Sequence, residues 1–192
     1  MSILIAGLFV FLGSHSIGIA ADDWRARQVA RIGLRPWKLA YSAVSLVGLA
    51  LIIWGYGLAR ATPVVLWQAP AASRHVAALF SVIGFVLIAA AYVPRTNIRR
   101  VLGHPMTAGV ALWALGHLAV NGRLNAVLLF GSFLAWAIAT FVTRRRRDHA
   151  RAVVYPPGSV ARDGLAVVIG AAAAMVFAFY LHGPLIGIRP FG

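Results

Sequence analysis

The chain has 192 residues, of which 61% are hydrophobic and 11% charged, and its mean hydropathy is +0.83. A soluble domain of this length is far less apolar, so the composition indicates an integral membrane protein. The net charge of +14 would indicate nucleic-acid binding in a soluble chain, but here it has to be interpreted by position. Because there is no cysteine, the sequence excludes thioether-linked haem, thiolate-held iron–sulfur clusters, disulfides and a cysteine nucleophile.

Six apolar runs are long enough to cross a hydrocarbon core of about 30 Å, the fourth being the shortest. They predict a single all-α membrane domain over residues 1–192, a bundle of six transmembrane helices at about 3–20, 38–59, 76–93, 105–120, 124–143 and 163–182. The first run has its basic residues after it rather than before it, the reverse of a secretory signal peptide, so we interpret it as an uncleaved span.

The segment between the first two spans, residues 22–37, mixes tryptophan and aliphatic residues with arginine, which is typical of a helix lying in the membrane interface. In the second span, Tyr41, Ser45 and Gly48 follow at spacings of four and three, which predicts a face that another helix approaches closely. The first half of the sixth span is rich in alanine and glycine, which favours a tightly packed central helix or space for a flat ligand.

Lysine and arginine are distributed very unequally between alternate loops. Fourteen of them follow the first, third and fifth spans, and the other four are Arg60, Arg74, Arg123 and Arg189. The positive-inside rule therefore predicts that the loops after odd-numbered spans are cytoplasmic and that both termini lie outside. This topology explains most of the net charge without a nucleic-acid partner. The cluster RRRRDHAR at 144–151 is also suited to binding acidic lipid head groups.

The fourth span lies in the stretch GHPMTAGVALWALGHLAVNG, which predicts a helix over 105–120. His104 occupies the N-cap position, and Pro105 the first helical position, where its missing N–H costs nothing. The dipeptide Asn121-Gly122 supplies the turn that ends the helix.

His117, near the end of the same span, is the candidate binding residue. Trp113 lies four residues before it and Asn121 four residues after it, so the three share one helix face. An ionisable side chain at membrane depth is costly unless it pairs or binds something. The alternative is a neutral histidine that is hydrogen-bonded to a neighbouring helix.

Counting 1.5 Å per residue from the charged cytoplasmic boundary places the histidines by depth. His15 lies about 10 Å and His117 about 20 Å from that boundary, so both fall in the middle third of the bilayer. His104 is expected at the inner interface and His182 at the outer one, about 28 Å from Asp163. Two deep imidazoles on different helices are the ligands that a bis-imidazole haem needs.

Other kinds of site fit the sequence less well. With no cysteine and no aspartate or glutamate expected inside the membrane, a closed zinc or copper site would need three or four histidines at one depth, which the predicted depths do not provide. Ser14-His15-Ser16 resembles half of a nucleophile pair, but Asp148 and Asp163 fall in a loop and cannot orient the imidazole. A transporter is disfavoured because the spans offer only histidine for ion coupling and show no inverted repeat.

Residues 13–56 and 73–136, together with the ending YLHGPLIGIRPFG, resemble the NnrU family of bacterial membrane proteins. The most specific motifs are H-S after the first span, H-P opening the fourth, H-x-x-x-N-G closing it and H-x-x-x-I-G near the end. Arg123 is a departure, since the family would have an acidic residue there. The resemblance implies a role in denitrification, in nitrite and nitric oxide reduction. It also implies similarity to zeta-carotene isomerase, which uses a histidine-held haem b to isomerise a cis double bond in a linear polyene.

Carried over to this sequence, the haem ligands fall on His15 and His117, with Trp113 and Asn121 packing and hydrogen-bonding beside them. The reserve ligands are His104 and His182. The resemblance thus implies an inner-membrane haem b protein that acts on a hydrophobic small molecule or a diatomic gas, and it leaves open whether the protein is an enzyme. The alternative is a non-enzymatic accessory or assembly protein without a cofactor, whose protein partner the sequence does not identify.

Overall fold

The computed structural model describes residues 1–70 and 73–190, and within these residues the fold is all-helical, as predicted. The helices in chain order are α1 (Ser2–Ala20), α2 (Asp22–Ile32), α3 (Leu34–Ala61), α4 (Ser73–Tyr92), α5 (Asn97–Leu102), α6 (Pro105–Val120), α7 (Leu124–Ala150), α8 (Val160–Val176) and α9 (His182–Ile186). A π-helix, Phe177–Leu181, joins α8 to α9 without a break.

Five helical stretches in the described residues are long and apolar enough to cross a membrane: α1, α3, α4, α7 and the continuous helix Val160–Ile186. The sixth apolar helix, α6, has only 16 residues. Many large apolar side chains point outward, among them Phe9 at 81% and Leu39 at 75% exposed. Such a surface suits a lipid environment, because hydrocarbon imposes no penalty on exposed apolar side chains.

The chain divides into two compact units, Met1–Val64 and Val65–Gly192. In the first unit, α1 packs closely on α3 through glycines. A Cβ atom at Gly48 would lie 2.8 Å from the backbone nitrogen of Phe11, and one at Gly7 would lie 2.6 Å from that of Ile52. The close approach predicted for the Gly48 face of the second span is therefore confirmed.

The predicted interfacial helix over 22–37 is divided in the structure. Helix α2 ends at Ile32, and α3 begins at Leu34. Gly33 between them has φ +88°, a conformation that glycine adopts without steric strain and that turns the chain. The rings of Trp24 and Trp37 meet edge to face across this corner at 5.7 Å. The second half of the segment consequently extends the following span.

In the second unit, α4 packs between α6 and α8. A Cβ atom at Gly109 of α6 would lie 2.6 Å from the carbonyl oxygen of Gly84, and one at Gly116 would lie 2.8 Å from Cβ of Phe80. On the other side, Gly170 of α8 meets the backbone of Val86. Small residues at these crossings let the backbones approach, and this approach maximises van der Waals contact where lipid removes the hydrophobic driving force.

One end of the second unit is formed by α5, the charged end of α7 and the start of α8. The Asp163 carboxylate accepts hydrogen bonds from Nδ2 of Asn97 at 2.9 Å and from the backbone N–H of Ile98 at 3.2 Å. The backbone N–H of Ser159 donates to the carbonyl of Arg95 at 3.1 Å. These bonds attach the start of α8 to α5.

Candidate functional site

His117 lies near the C-terminal end of α6 among aromatic rings. Its ring stacks on Phe130 of α7, with centroids 4.6 Å apart, and lies 5.0 Å from the ring of Trp113. Trp113 in turn contacts Phe133 edge to face at 5.7 Å. Nδ1 of His117 lies 2.9 Å from the backbone carbonyl oxygen of Trp113. Because a carbonyl oxygen only accepts, Nδ1 carries the hydrogen and the lone pair of the neutral imidazole is on Nε2.

His15, in the first unit, is held in the same manner. Its Nδ1 lies 2.7 Å from the carbonyl oxygen of Phe11, four residues earlier, so here too Nδ1 is the donor. The ring stacks on that of Phe11 with centroids 4.2 Å apart. The ring of Tyr41 on α3 lies 5.3 Å away. The Nε2 lone pair of His15 thus has the same chemical character as that of His117.

His182 is the third histidine of this kind. Its Nδ1 lies 2.6 Å from the carbonyl oxygen of Ile188, which the chain brings back towards the helix after Gly187, at φ +75°. The ring meets that of Phe177 edge to face at 5.9 Å. A hydrogen bond from one ring nitrogen to a backbone carbonyl fixes the tautomer and orientation of a metal-ligating histidine. All three residues meet this condition.

His104 uses the opposite nitrogen. Its Nε2 lies 2.8 Å from the Asp148 carboxylate, which also accepts a hydrogen bond from the Tyr155 hydroxyl at 2.6 Å. Burial and the neighbouring Asp148 carboxylate raise the pKa of Tyr155 to about 12, so the phenol stays protonated and donates. Nε2 of His104 is therefore engaged within the protein, whereas His117 is held through its other ring nitrogen, Nδ1.

A bare metal ion and a haem make different demands on these histidines. Among the described residues, no three histidine, aspartate or glutamate side chains come together as a metal site. A structural zinc site requires about four such ligands. Haem iron needs only one or two, because the porphyrin supplies the other four, and a haem is accommodated by flat aromatic and aliphatic walls. The rings of Trp113, Phe130 and Phe133 form such a wall beside His117.

Comparison with known protein families identifies the chain. A family model described as NnrU protein matches residues 3–190, nearly the whole sequence. The chain belongs to the NnrU family. No curated protein and no solved structure matches it.

Three of the four NnrU motifs lie at the ends of helices in this structure, and the H-S motif lies within α1. The prediction for α6 is confirmed: His104 is its N-cap, Pro105 begins it, and Asn121 is its C-cap. Nδ2 of Asn121 donates to the backbone carbonyl of His117 at 2.9 Å, so the H-x-x-x-N-G motif completes the last turn that carries the imidazole. In the H-x-x-x-I-G motif, Gly187 is a left-handed C-cap that leads to the carbonyl that orients His182.

Sequence reasoning missed several neighbours of the histidines. Phe11 lies four residues before His15, a helical spacing at which side chains meet, so the stacked pair was available from the pattern. Phe130 comes from another helix, and nothing in the sequence marks it as the ring that stacks on His117. The contact of Tyr155 with Asp148 is equally dependent on the folded loop.

Proposed function

We propose that this NnrU protein spans the bacterial cytoplasmic membrane six times and binds one haem b through Nε2 of His117. His15 is the second ligand predicted from the sequence, and its tautomer supports that role. The observation that carries the proposal is the hydrogen bond from Nδ1 of His117 to the Trp113 carbonyl, because it directs the coordinating lone pair away from the residue's own helix.

The composition limits how a haem could be attached. Since the chain has no cysteine, a haem here would be held without thioether links, by coordination and packing alone, as haem b is. Of the two reserve ligands, His104 loses support because its Nε2 bonds Asp148, and His182 gains support because its Nε2 carries the lone pair. When bound, a haem would supply redox chemistry and, where one imidazole leaves the iron, a coordination position for a diatomic gas or a substrate.

The protein's own residues bind and shield the reactive centre in this proposal. Trp113 and Phe130 exclude water from the imidazole on two sides, which lowers the local dielectric and strengthens electrostatic interactions there. A linear polyene would be accommodated by the same apolar surfaces as it crosses the bilayer. The reaction we propose is the isomerisation of such a polyene, or nitrogen oxide chemistry linked to denitrification.

The proposed function is tested by absorption spectra of the detergent-purified protein, oxidised and reduced, from cells supplied with a haem precursor. We expect a Soret band that shifts on reduction, and its near-complete loss in His117→Ala. His149→Ala is the matched control, because His149 is exposed in the arginine-rich segment. A colourless protein despite full haem supply would contradict the proposal and support the cofactor-free accessory protein instead.

The topology is tested separately by cysteine labelling, which has no background from native cysteines because the sequence contains none. Single-cysteine variants Ser2→Cys and Arg189→Cys should both react with a membrane-impermeant maleimide in intact cells. Val154→Cys, at a position that is 88% exposed in the protein, should react only after the membrane is opened. With five spans instead of six, residues 2 and 189 would lie on opposite faces, and only one of them would be labelled.

A further inference from the structure

The end of the second unit that is formed by α5, the end of α7 and the start of α8 is strongly basic. Its segments 95–100 and 144–163 contain nine arginines and two aspartates, a formal excess of seven positive charges. In the first unit, by contrast, the arginine-rich helix α2 begins with two aspartates, and Arg25 pairs with Asp22 at 3.4 Å. Charge at the end of the second unit is therefore not balanced locally.

The two carboxylates at this end serve the packing of the helices. Asp148 accepts hydrogen bonds from His104 and Tyr155, and Asp163 accepts its two bonds from the start of α5. None of the arginines 99, 100 and 145 forms a salt bridge with another residue in the described part of the chain. Because like charges held together repel one another, such a cluster favours an anion from outside the protein.

Arginines from two helices meet at Gly103, the C-cap of α5. The backbone N–H of Gly103 donates to the carbonyl of Arg99 at 2.8 Å, and its φ of +72° turns the chain. A Cβ atom there would lie 2.9 Å from Nη1 of Arg145 and 3.2 Å from the hydroxyl oxygen of Tyr155. The guanidinium of Arg145 therefore packs on the last turn of α5, which carries Arg99 and Arg100.

Exposed valines lie among these arginines. Val101 follows Arg100 directly and is 71% exposed, and Val160 at the start of α8 is 82% exposed. Val154, between α7 and α8, is similarly exposed. Arginine together with exposed apolar side chains is typical of a surface at the membrane interface, where the charges meet head groups and the apolar side chains meet the acyl boundary. A free anion in water would leave the valines uncovered, so the combination favours a lipid.

We propose that this end binds the phosphate of an anionic phospholipid, with the guanidinium groups of Arg99, Arg100 and Arg145 as donors. A planar guanidinium presents pairs of N–H groups that match phosphate oxygens, so arginine suits this role better than lysine. The exposed valines contact the upper part of the acyl chains. The inference does not depend on haem binding, because the site lies at the N-terminal end of α6 and His117 lies near the other end.

The test is native mass spectrometry of the detergent-purified full chain, with phosphatidylglycerol and phosphatidylcholine added in equal amounts. We expect the native protein to retain phosphatidylglycerol in preference. The triple variant Arg99→Gln, Arg100→Gln and Arg145→Gln should bind it about tenfold less tightly. The matched control replaces the exposed arginines of the first unit, Arg27→Gln, Arg31→Gln and Arg35→Gln, and should bind as the native protein does. Equal losses in both triple variants would show that only net charge matters and would overturn the inference.

Two further measurements separate a lipid from a free anion. Inorganic phosphate at millimolar concentration should leave phosphatidylglycerol bound, and its displacement would show that the site takes a soluble anion instead. Val101→Ser combined with Val154→Ser keeps every arginine and should weaken phosphatidylglycerol binding about threefold. Unchanged binding in this variant would contradict the assigned role of the valines.

A lysine variant covers the case in which the glutamine variant does not fold. Arg99→Lys, Arg100→Lys and Arg145→Lys together keep the charge but lose the paired N–H groups, so we expect binding between that of the native protein and the glutamine variant. Binding at the native level would overturn the role of the guanidinium groups. The Soret band should be the same in all of these variants, which separates this inference from the proposed haem function.

Discussion

The two ends of helix α6 each carry a histidine, and the two side chains are used in opposite ways. At the N-terminal end, Nε2 of His104 bonds Asp148 of α7. Near the C-terminal end, His117 bonds its own helix through Nδ1. The first arrangement joins two segments of the chain and consumes the nitrogen that usually binds metal. The second fixes the ring and leaves that nitrogen directed outward, so the hydrogen-bond partner decides the role of the same side chain.

We expect the largest difference between variants at the two ends of α6 in the amount of haem that they bind. His117→Ala is expected to remove nearly all of the Soret absorbance, whereas His104→Ala should retain it, since Nε2 of His104 is directed at Asp148. Absorbance per mole of purified protein is the measurement. Equal losses in both variants would mean that the two ends of α6 do not differ in function.

The middle of α6 packs closely against α4. Gly109→Val would place carbon atoms where the carbonyl oxygen of Gly84 lies, so we expect a loss of about 3 kcal/mol in the free energy of unfolding. Gly131→Val on α7 is the matched control, because a Cβ atom there would have no atom within 4 Å. Unfolding in detergent, followed by circular dichroism, compares them. Similar stability of the two variants would show that α4 and α6 are less closely packed than described.

Removal of the Asp148 carboxylate should weaken the contacts at the N-terminal end of α6 and leave its C-terminal end unaffected. Asp148→Ala leaves His104 and Tyr155 without their shared acceptor, which we expect to cost about 2 kcal/mol of stability. The haem spectrum should not change, because His117 has separate hydrogen-bond partners. Asp23→Ala, at an exposed position, is the control. A changed Soret band in Asp148→Ala would show that the two ends are coupled.

The smallest effect concerns the Tyr155 hydroxyl. Because its pKa is raised from 10.0 to about 12, the neutral phenol stabilises the fold below about pH 10, and this contribution is lost as the pH rises towards 12. Tyr155→Phe should cost about 1 kcal/mol at neutral pH. Its thermal stability should also fall less steeply than that of the native chain between these pH values. Parallel curves for the two proteins would exclude the phenol as the group responsible.

Much of the helical pattern could be predicted from the sequence because its signals are local. The limits of α6 follow from His104, Pro105 and Asn121, and the structure confirms them. The division of residues 22–37 at Gly33 was missed, because hydrophobic composition does not reveal a glycine with positive φ. The π-helix at 177–181 was missed for a related reason: its apolar residues fit a regular helix equally well.

The sequence by itself determined the apolar, all-helical character of the chain, its NnrU family motifs and the identity of the candidate histidines. These properties depend on composition and on residues a few positions apart. Only the tertiary structure decided that Nε2 of His104 bonds Asp148 and that Phe130 stacks on His117. These depend on contacts between segments distant in sequence, whose geometry is fixed only when the helices pack.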